Sequence, residues 1–276
     1  MKRISRVTGL VAALAGATAV SSLALSSSAD AHSTPRPPKP TVVLVHGAWA
    51  DASGWTPVAE SLEKDGYTVK APPNPLRGLA SDAQYISSVL KQINGPVVLV
   101  GHSYGGAVIT NAALDNPNVK ALVYIAAFAP DAGDSLAGLN ARPVDHPIAP
   151  VPALPTTYPK PDGSVGTELT IDPAQYSNVF LDNELPKYEA QAFAAEQRPL
   201  SLDSVTETSG TPAWKSIPSW YMVAKDDRAI SPDLERFMAA RAHAHTVEVD
   251  GPHLIMFTSP APVTHLIEQA ATATVR

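Results

Sequence analysis

Cysteine is absent from the 276-residue chain. That excludes disulfides, a thiol nucleophile, a lipid-modified cysteine and zinc sites built on thiolates. Charge is sparse: 17% of the residues are Asp, Glu, Lys or Arg, and the formal net charge is −6. No Lys/Arg cluster occurs beyond the first residues, so the chain offers no basic surface to nucleic acid. H-x-x-x-H and EF-hand spacings are missing, and His243-x-His245 alone reads as solvated polar residues at a helix end. Neither a metal nor any other cofactor is implied. Internal repeats are also lacking. What remains is a chain with 45% hydrophobic residues, the composition of one large globular domain or of one domain with an insert.

The N-terminus reads as an export signal. Lys2, Arg3 and Arg6 precede a mostly apolar stretch over 7–25, and Ser26-Ser27-Ser28-Ala29-Asp30-Ala31 ends in an A-x-A site. This is the layout of a secretory signal peptide over 1–31, cleaved after Ala31. Gly, Thr and Ser dilute the apolar stretch, which speaks against a retained anchor. A secreted protein with no stable membrane anchor is therefore expected. Residues 32–40 form a proline-rich linker, and the folded domain is expected over 41–276.

Within that domain, apolar β-branched runs alternate with amphipathic segments. Strands are expected at 42–45, 67–71, 96–100 and 120–126, and helices at 56–64, 81–93 and 105–114, with Ser81 as an N-cap. Alternation of this kind implies a mostly parallel sheet with helices on both faces. It breaks after Pro130. Pro143, Pro147, Pro150, Pro152, Pro155, Pro159 and Pro161 mark an irregular stretch. A short helix follows, with Leu185, Tyr188, Ala192 and Ala195 on one face. Residues 130–213 thus read as an inserted lid. Alternation resumes with strands at 219–224 and 246–249 and helices at 231–241 and 260–274.

Gly101-His102-Ser103-Tyr104-Gly105 fits G-x-S-x-G and falls between a buried strand and a helix. A serine in that tight turn is strained, with its hydroxyl exposed at the helix N-terminus. Ser103 is therefore the expected nucleophile. A serine hydroxyl needs a base, and the base needs an acid to orient it. Of the eight histidines, His253 follows the last strand through Asp250-Gly251-Pro252, where a base belongs. His46 and His102 suit packing around the turn. The acid is Asp226 or Asp227, after the strand at 219–224; adjacent side chains point different ways, so one of them reaches. Asp250 reads as a turn former. Two N–H donors must meet the oxyanion. The residue after the nucleophile, Tyr104, supplies one, and Ala48, in the loop after the first strand, the other. Trp49 and Trp55 are expected to pack that loop or wall the substrate mouth.

Assembled in this way, the chain resembles the compact α/β-hydrolases related to plant methylesterases and hydroxynitrile lyases, and especially their bacterial esterase relatives. The resemblance rests on Val43-Leu44-Val45-His46-Gly47-Ala48-Trp49, on Gly101 to Gly106, on Asp227-Arg228-Ala229-Ile230 and on Asp250 to His253. It implies an α/β-hydrolase fold. It also implies Ser103, Asp227 and His253 as a triad, with Ala48 and Tyr104 as oxyanion donors. In the lyase branch a lysine follows the histidine; here Leu254 does, which turns the expectation from cyanohydrin cleavage to hydrolysis. The expected activity is that of a carboxylesterase acting through an acyl-enzyme on a small-molecule ester, apolar or aromatic. Amidase, lactonase or thioesterase action would use the same machinery. A non-catalytic binding protein would be expected to lack a triad member, and a cofactor-free oxygenase would take up oxygen.

Overall fold

The computed structural model describes residues 38–274. The expected leader and most of the linker lie outside them. The end of the linker is anchored: Pro40 is buried and Lys39 lies over the Tyr67 ring, 4.0 Å from its centroid.

The chain runs β1 (Thr41–Val45), α1 (Thr56–Lys64), β2 (Val69–Lys70), α2 (Leu79–Leu90), β3 (Val97–Ser103), α3 (Tyr104–Ala112) and β4 (Val119–Ala127). The insert follows with α4 (Leu136–Asn140), β5 (Ala153–Pro159), β6 (Val165–Ile171), α5 (Pro173–Phe180), α6 (Lys187–Glu196), β7 (Leu200–Ser201) and α7 (Asp203–Thr206). The chain ends with β8 (Ser219–Ala224), α8 (Pro232–Arg241), β9 (His245–Val249), α9 (Ile255–Thr258) and α10 (Pro260–Thr274).

Six strands form one parallel sheet in the order β2-β1-β3-β4-β8-β9. The strand period of two explains its two cores. Val43, Val45, Leu99, Leu122, Tyr124 and Tyr221 pack under α2, α3 and α8. Val42, Leu44, Val98, Val100, Val123 and Met222 pack under α1 and α10. Each such side chain contributes about 1.5–3 kcal/mol by leaving water. Burial on both faces is why these strands read as unbroken apolar runs. The chain leaves β1 outward to β2 and returns to β3 on the other side of β1. That reversal opens a crevice at the C-terminal ends of β1 and β3, where ligands bind in open α/β sheets.

Four expectations need correction. Ser81 does not cap α2; the N-cap is Gly78, and the Ser81 hydroxyl lies inside the first turn, donating to Gly78 O at 3.1 Å. The helix also stops at Leu90, short of Ile93. The proline-rich stretch is not wholly irregular: β5 contains Pro155 and Pro159 and pairs antiparallel with β6. Proline is tolerated because β5 is the edge of a three-stranded sheet and needs no donor on its open side. Finally, α6 buries Ala190 and Ala194, while Tyr188 is 70% exposed. The sequence pattern marked the wrong face because small alanines lie all round this helix and give periodicity little contrast.

Candidate active site

Ser103 ends β3 and caps α3 with φ 53° and ψ −125°. A positive φ strains a residue that carries a Cβ, so the surroundings must enforce it. They do so by close packing. A Cβ at Gly105 would collide with Val45 O and lie 2.8 Å from His46 O. Glycine there lets the start of α3 sit on the end of β1. Tyr104 is the first residue of α3, so its N–H is among those a helix N-terminus leaves without an internal acceptor. The Tyr104 hydroxyl reaches back to Asp82 at 2.7 Å, tying the elbow to α2.

The loop after β1 closes from the other side. A Cβ at Gly47 would lie 2.6 Å from Ser103 Cβ and 3.0 Å from His102 Nδ1. Gly47→Ala must therefore push the β1 loop, and Ala48 with it, away from Ser103. The expected result is a loss of about 100-fold in kcat for ester hydrolysis, the scale of a lost oxyanion donor; steady-state kinetics on the folded variant checks it.

His253 lies in the turn after β9 and is 1% exposed. Its Nδ1 meets Asp227 Oδ2 at 2.5 Å. The other carboxylate oxygen, Oδ1, accepts from Ala229 N–H at 2.6 Å and Ile230 N–H at 2.9 Å. A carboxylate only accepts, so Nδ1 carries the proton and Nε2 keeps its lone pair. Asp226 points elsewhere: its Oδ2 accepts from Gly251 N–H at 2.9 Å, and its own N–H donates to Gly251 O at 3.1 Å. Asp227 thus orients the imidazole and Asp226 pins the turn that carries it. Asp250 pairs with Lys225 at 2.5 Å on the surface.

His102 holds His253 in place. Its Nε2–H donates to His253 O at 2.9 Å, and the two rings lie 4.6 Å apart. Burial pushes the His102 pKa well below its ordinary value, and a positive His253 would push it the same way. Ser103 and His253 are thereby brought to the same end of the sheet. Among the described residues no hydrogen bond closes from Ser103 Oγ to His253; the serine faces the pocket, and such contacts are often long before substrate arrives.

His46 is a packing residue. Its Nδ1–H donates to Gly47 O at 2.8 Å and its Nε2 accepts from Asn74 N–H at 2.9 Å. Burial lowers its pKa to about 4. The unfolded chain therefore binds a proton that the folded chain refuses. This stabilising contribution is complete above pH 6.5 and is lost as pH falls toward about 4. About 3 kcal/mol is at stake. In His46→Gln the decline of urea-unfolding stability between those pH values is expected to flatten.

Ser103, Ala48 and Tyr104 line one cavity of about 490 Å³. Its walls are mostly apolar, from Trp49, Phe128, Leu136, Val144, Ile148, Val151, Ile230 and Leu234. Among the described residues no three His, Asp or Glu side chains gather as a metal-binding group.

Comparison with known proteins identifies the family of this fold. Residues 42–266 match the model of the alpha/beta hydrolase family. The chain belongs to that family. Methylesterase 2 of Arabidopsis thaliana is 28% identical over 252 residues, covering 79% of this chain and 90% of that protein. The carbendazim hydrolyzing esterase of Nocardioides sp. (strain SG-4G) is 38% identical over 111 residues, 35% of this chain and 46% of that protein, so the match spans less than half of that relative. The crystal structure of polyneuridine aldehyde esterase shares the fold with a TM-score of 0.70 at 21% identity, covering 84% of this chain and 98% of that one.

In this α/β-hydrolase the insert supplies much of the pocket wall. Trp49 Nε1–H donates to Leu169 O at 2.8 Å, and the Tyr176 hydroxyl donates to Trp49 O at 3.1 Å. Trp49 thus walls the pocket and ties the β1 loop to the insert. Trp55 does neither; it is fully buried, edge-on to His102. His146 fastens the insert to α8, with both its N–H and Nδ1 on Asp233 Oδ2. Leu254 is buried, and its N–H donates to Phe180 O at 2.9 Å. Sequence reasoning placed His102 in the packing around the turn and Trp49 at the mouth, but missed the bond from His102 to His253, the Asp82 tether and the lining residues that the insert supplies. The available signal was the spacing of Asp82, three and four positions from Leu79 and Ile86 on the stripe that α2 buries.

Proposed function

We propose that the protein is a secreted carboxylesterase-type serine hydrolase. Ser103 is its nucleophile, His253 the base and Asp227 the orienting acid, with the N–H groups of Ala48 and Tyr104 as oxyanion donors. The observation that carries this reading is the buried Asp227–His253 contact at 2.5 Å, set beside a serine held at φ 53°. Ser103 Oγ attacks the ester carbonyl while His253 Nε2 takes its proton. The tetrahedral intermediate collapses, the alcohol leaves with that proton, and an acyl-Ser103 remains. Water then attacks the acyl carbon, giving its proton to His253; the acid departs and Ser103 recovers the proton.

The 130–213 insert serves as the lid, and the apolar cavity of about 490 Å³ suits a small apolar or aromatic ester. The names of the relatives, methylesterase and carbendazim hydrolyzing esterase, support ester cleavage over amide, lactone or thioester cleavage. The lyase reaction is not proposed, because Leu254 offers no charge to a leaving cyanide.

A fluorophosphonate probe tests the reading. One covalent adduct, mapped by mass spectrometry to Ser103, is expected, together with turnover of p-nitrophenyl and aryl esters. An adduct on another residue, or none alongside active turnover, would sink it. In an acyl-chain series, rates are expected to fall once the acyl group outgrows the cavity.

A further inference from the structure

Glu235 lies on α8, facing inward, with no exposed surface. Its carboxyl group has one donor, Ala224 N–H on Oε2 at 3.3 Å. Its other oxygen, Oε1, is buried with no donor. The Asp227 carboxyl is close by: Asp227 N–H donates at 3.2 Å to the carbonyl of Ala224, the residue whose N–H meets Glu235 Oε2, and the charge of Asp227 and a side-chain hydrogen bond with it both act on Glu235. An orphaned acceptor beside another acceptor has a simple physical resolution. Two adjacent carboxyl groups shut away from water cannot both be ionised, so one proton lies between them.

Which oxygen owns that proton follows from the donors. Asp227 receives three, from Ala229 N–H, Ile230 N–H and His253 Nδ1–H. Glu235 receives one long contact. The other charged or titratable neighbours do not alter the balance. Arg236 turns outward to Glu248 and Asp233, and the Tyr221 hydroxyl donates to Ala127 O.

We propose that Glu235 is a protonated positioning residue that donates its O–H to Asp227 and so holds the acid in register against His253. Burial, and then the Asp227 charge, raise the Glu235 pKa well above the ordinary glutamate value, as this requires. Asp227 thereby receives a further donor besides Ala229 N–H, Ile230 N–H and His253 Nδ1–H. Its carboxylate cannot rotate, and part of its charge is drawn from the imidazole. Glu235 touches no substrate; it acts through Asp227.

The proposal rests on the triad reading, but its direct test needs no turnover. Protein labelled with 13C at the glutamate side-chain carboxyl is followed by NMR across pH. One glutamate resonance is expected to keep the shift of a neutral acid at pH 7, and to be missing from Glu235→Gln. If every glutamate is ionised at that pH, the shared proton does not exist.

Kinetics supply the functional arm. The amide of Glu235→Gln can donate to Asp227 and accept from Ala224 N–H, so kcat/KM is expected to stay within about threefold of wild type, whereas Glu235→Leu loses about tenfold in kcat with little change in KM. The acid limb of the Glu235→Gln pH profile is expected to stay in place. A limb displaced to lower pH would show that a negative charge had been removed, and would overturn the proposal. Full activity in Glu235→Leu would overturn the positioning role. Should Glu235→Leu fail to fold, the glutamine variant and the NMR titration still decide. A protein that shows the neutral glutamate but no serine labelling would separate failure of the triad reading from failure of this one.

Discussion

Replacing Ser103 with alanine is expected to lower kcat/KM for p-nitrophenyl esters by at least about 10⁴-fold. Fluorophosphonate labelling is expected to vanish with it. The hydroxyl is the one group of Ser103 that faces the cavity chemically, and the donors that would stabilise an oxyanion are left intact by the change. Whatever rate remains reports the oxyanion hole and binding alone. Alanine keeps the Cβ and hence the strained backbone, so stability should hardly move. Ser103→Gly separates the two roles. At φ 53° a glycine relieves strain worth about 1 kcal/mol or more. That variant is expected to be inactive and yet to melt at a higher temperature than wild type. A wild-type rate in either variant would assign the chemistry to another residue; an unchanged or lower melting temperature in Ser103→Gly would show that the turn stores no strain.

Asp227→Asn is expected to cost about 10³–10⁴-fold in kcat. Its neighbour provides the control. In the variant, Oδ1 can still accept from Ala229 and Ile230, so the loop should hold. The amide NH₂ then faces His253 Nδ1 and needs an acceptor there. The imidazole flips to the tautomer protonated at Nε2, which cannot take a proton from Ser103. Asp226→Asn leaves the Asp227–His253 contact untouched and weakens one turn bond to Gly251. A loss of less than about tenfold is expected, with a modest fall in stability. Equal losses in the two variants, measured by steady-state kinetics on folded protein, would mean that the Asp227–His253 contact is not what orients the base.

Much of the scaffold was legible because its signals are local. Val42 to Val45 and Val97 to Val100 are apolar on both faces, and only a buried parallel strand needs that pattern. The glycines around Ser103 record a strand and a helix that nearly touch. The insert was the least legible part. Its prolines suggested irregular chain, yet an edge strand tolerates them, and β5 forms. The evenly distributed alanines of α6 hid its buried face. In the site, Ser103 and His253 were legible from their places after strands. Residue reading left Asp226 and Asp227 open, and the spacing of a resembling family favoured Asp227. One residue of register separates an acid that meets the imidazole from one that meets a glycine N–H.

Glu235 shows the limit most clearly. On α8 it reads as one more polar residue in Asp-Leu-Glu-Arg, beside an Arg236 that does face solvent. Nothing in its neighbours announces that it turns inward onto another carboxyl. The sequence by itself determined which chemical groups are present and how each segment bends: the strained turn at Ser103, the loop that carries His253 after the last strand, the alternating layers. The tertiary structure alone decided which aspartate meets His253, that Glu235 is buried, and which side chains wall the pocket. Periodicity and turn chemistry depend on neighbours a few positions away. These pairings depend on how separate layers pack, across gaps such as the 26 positions that separate Asp227 from His253.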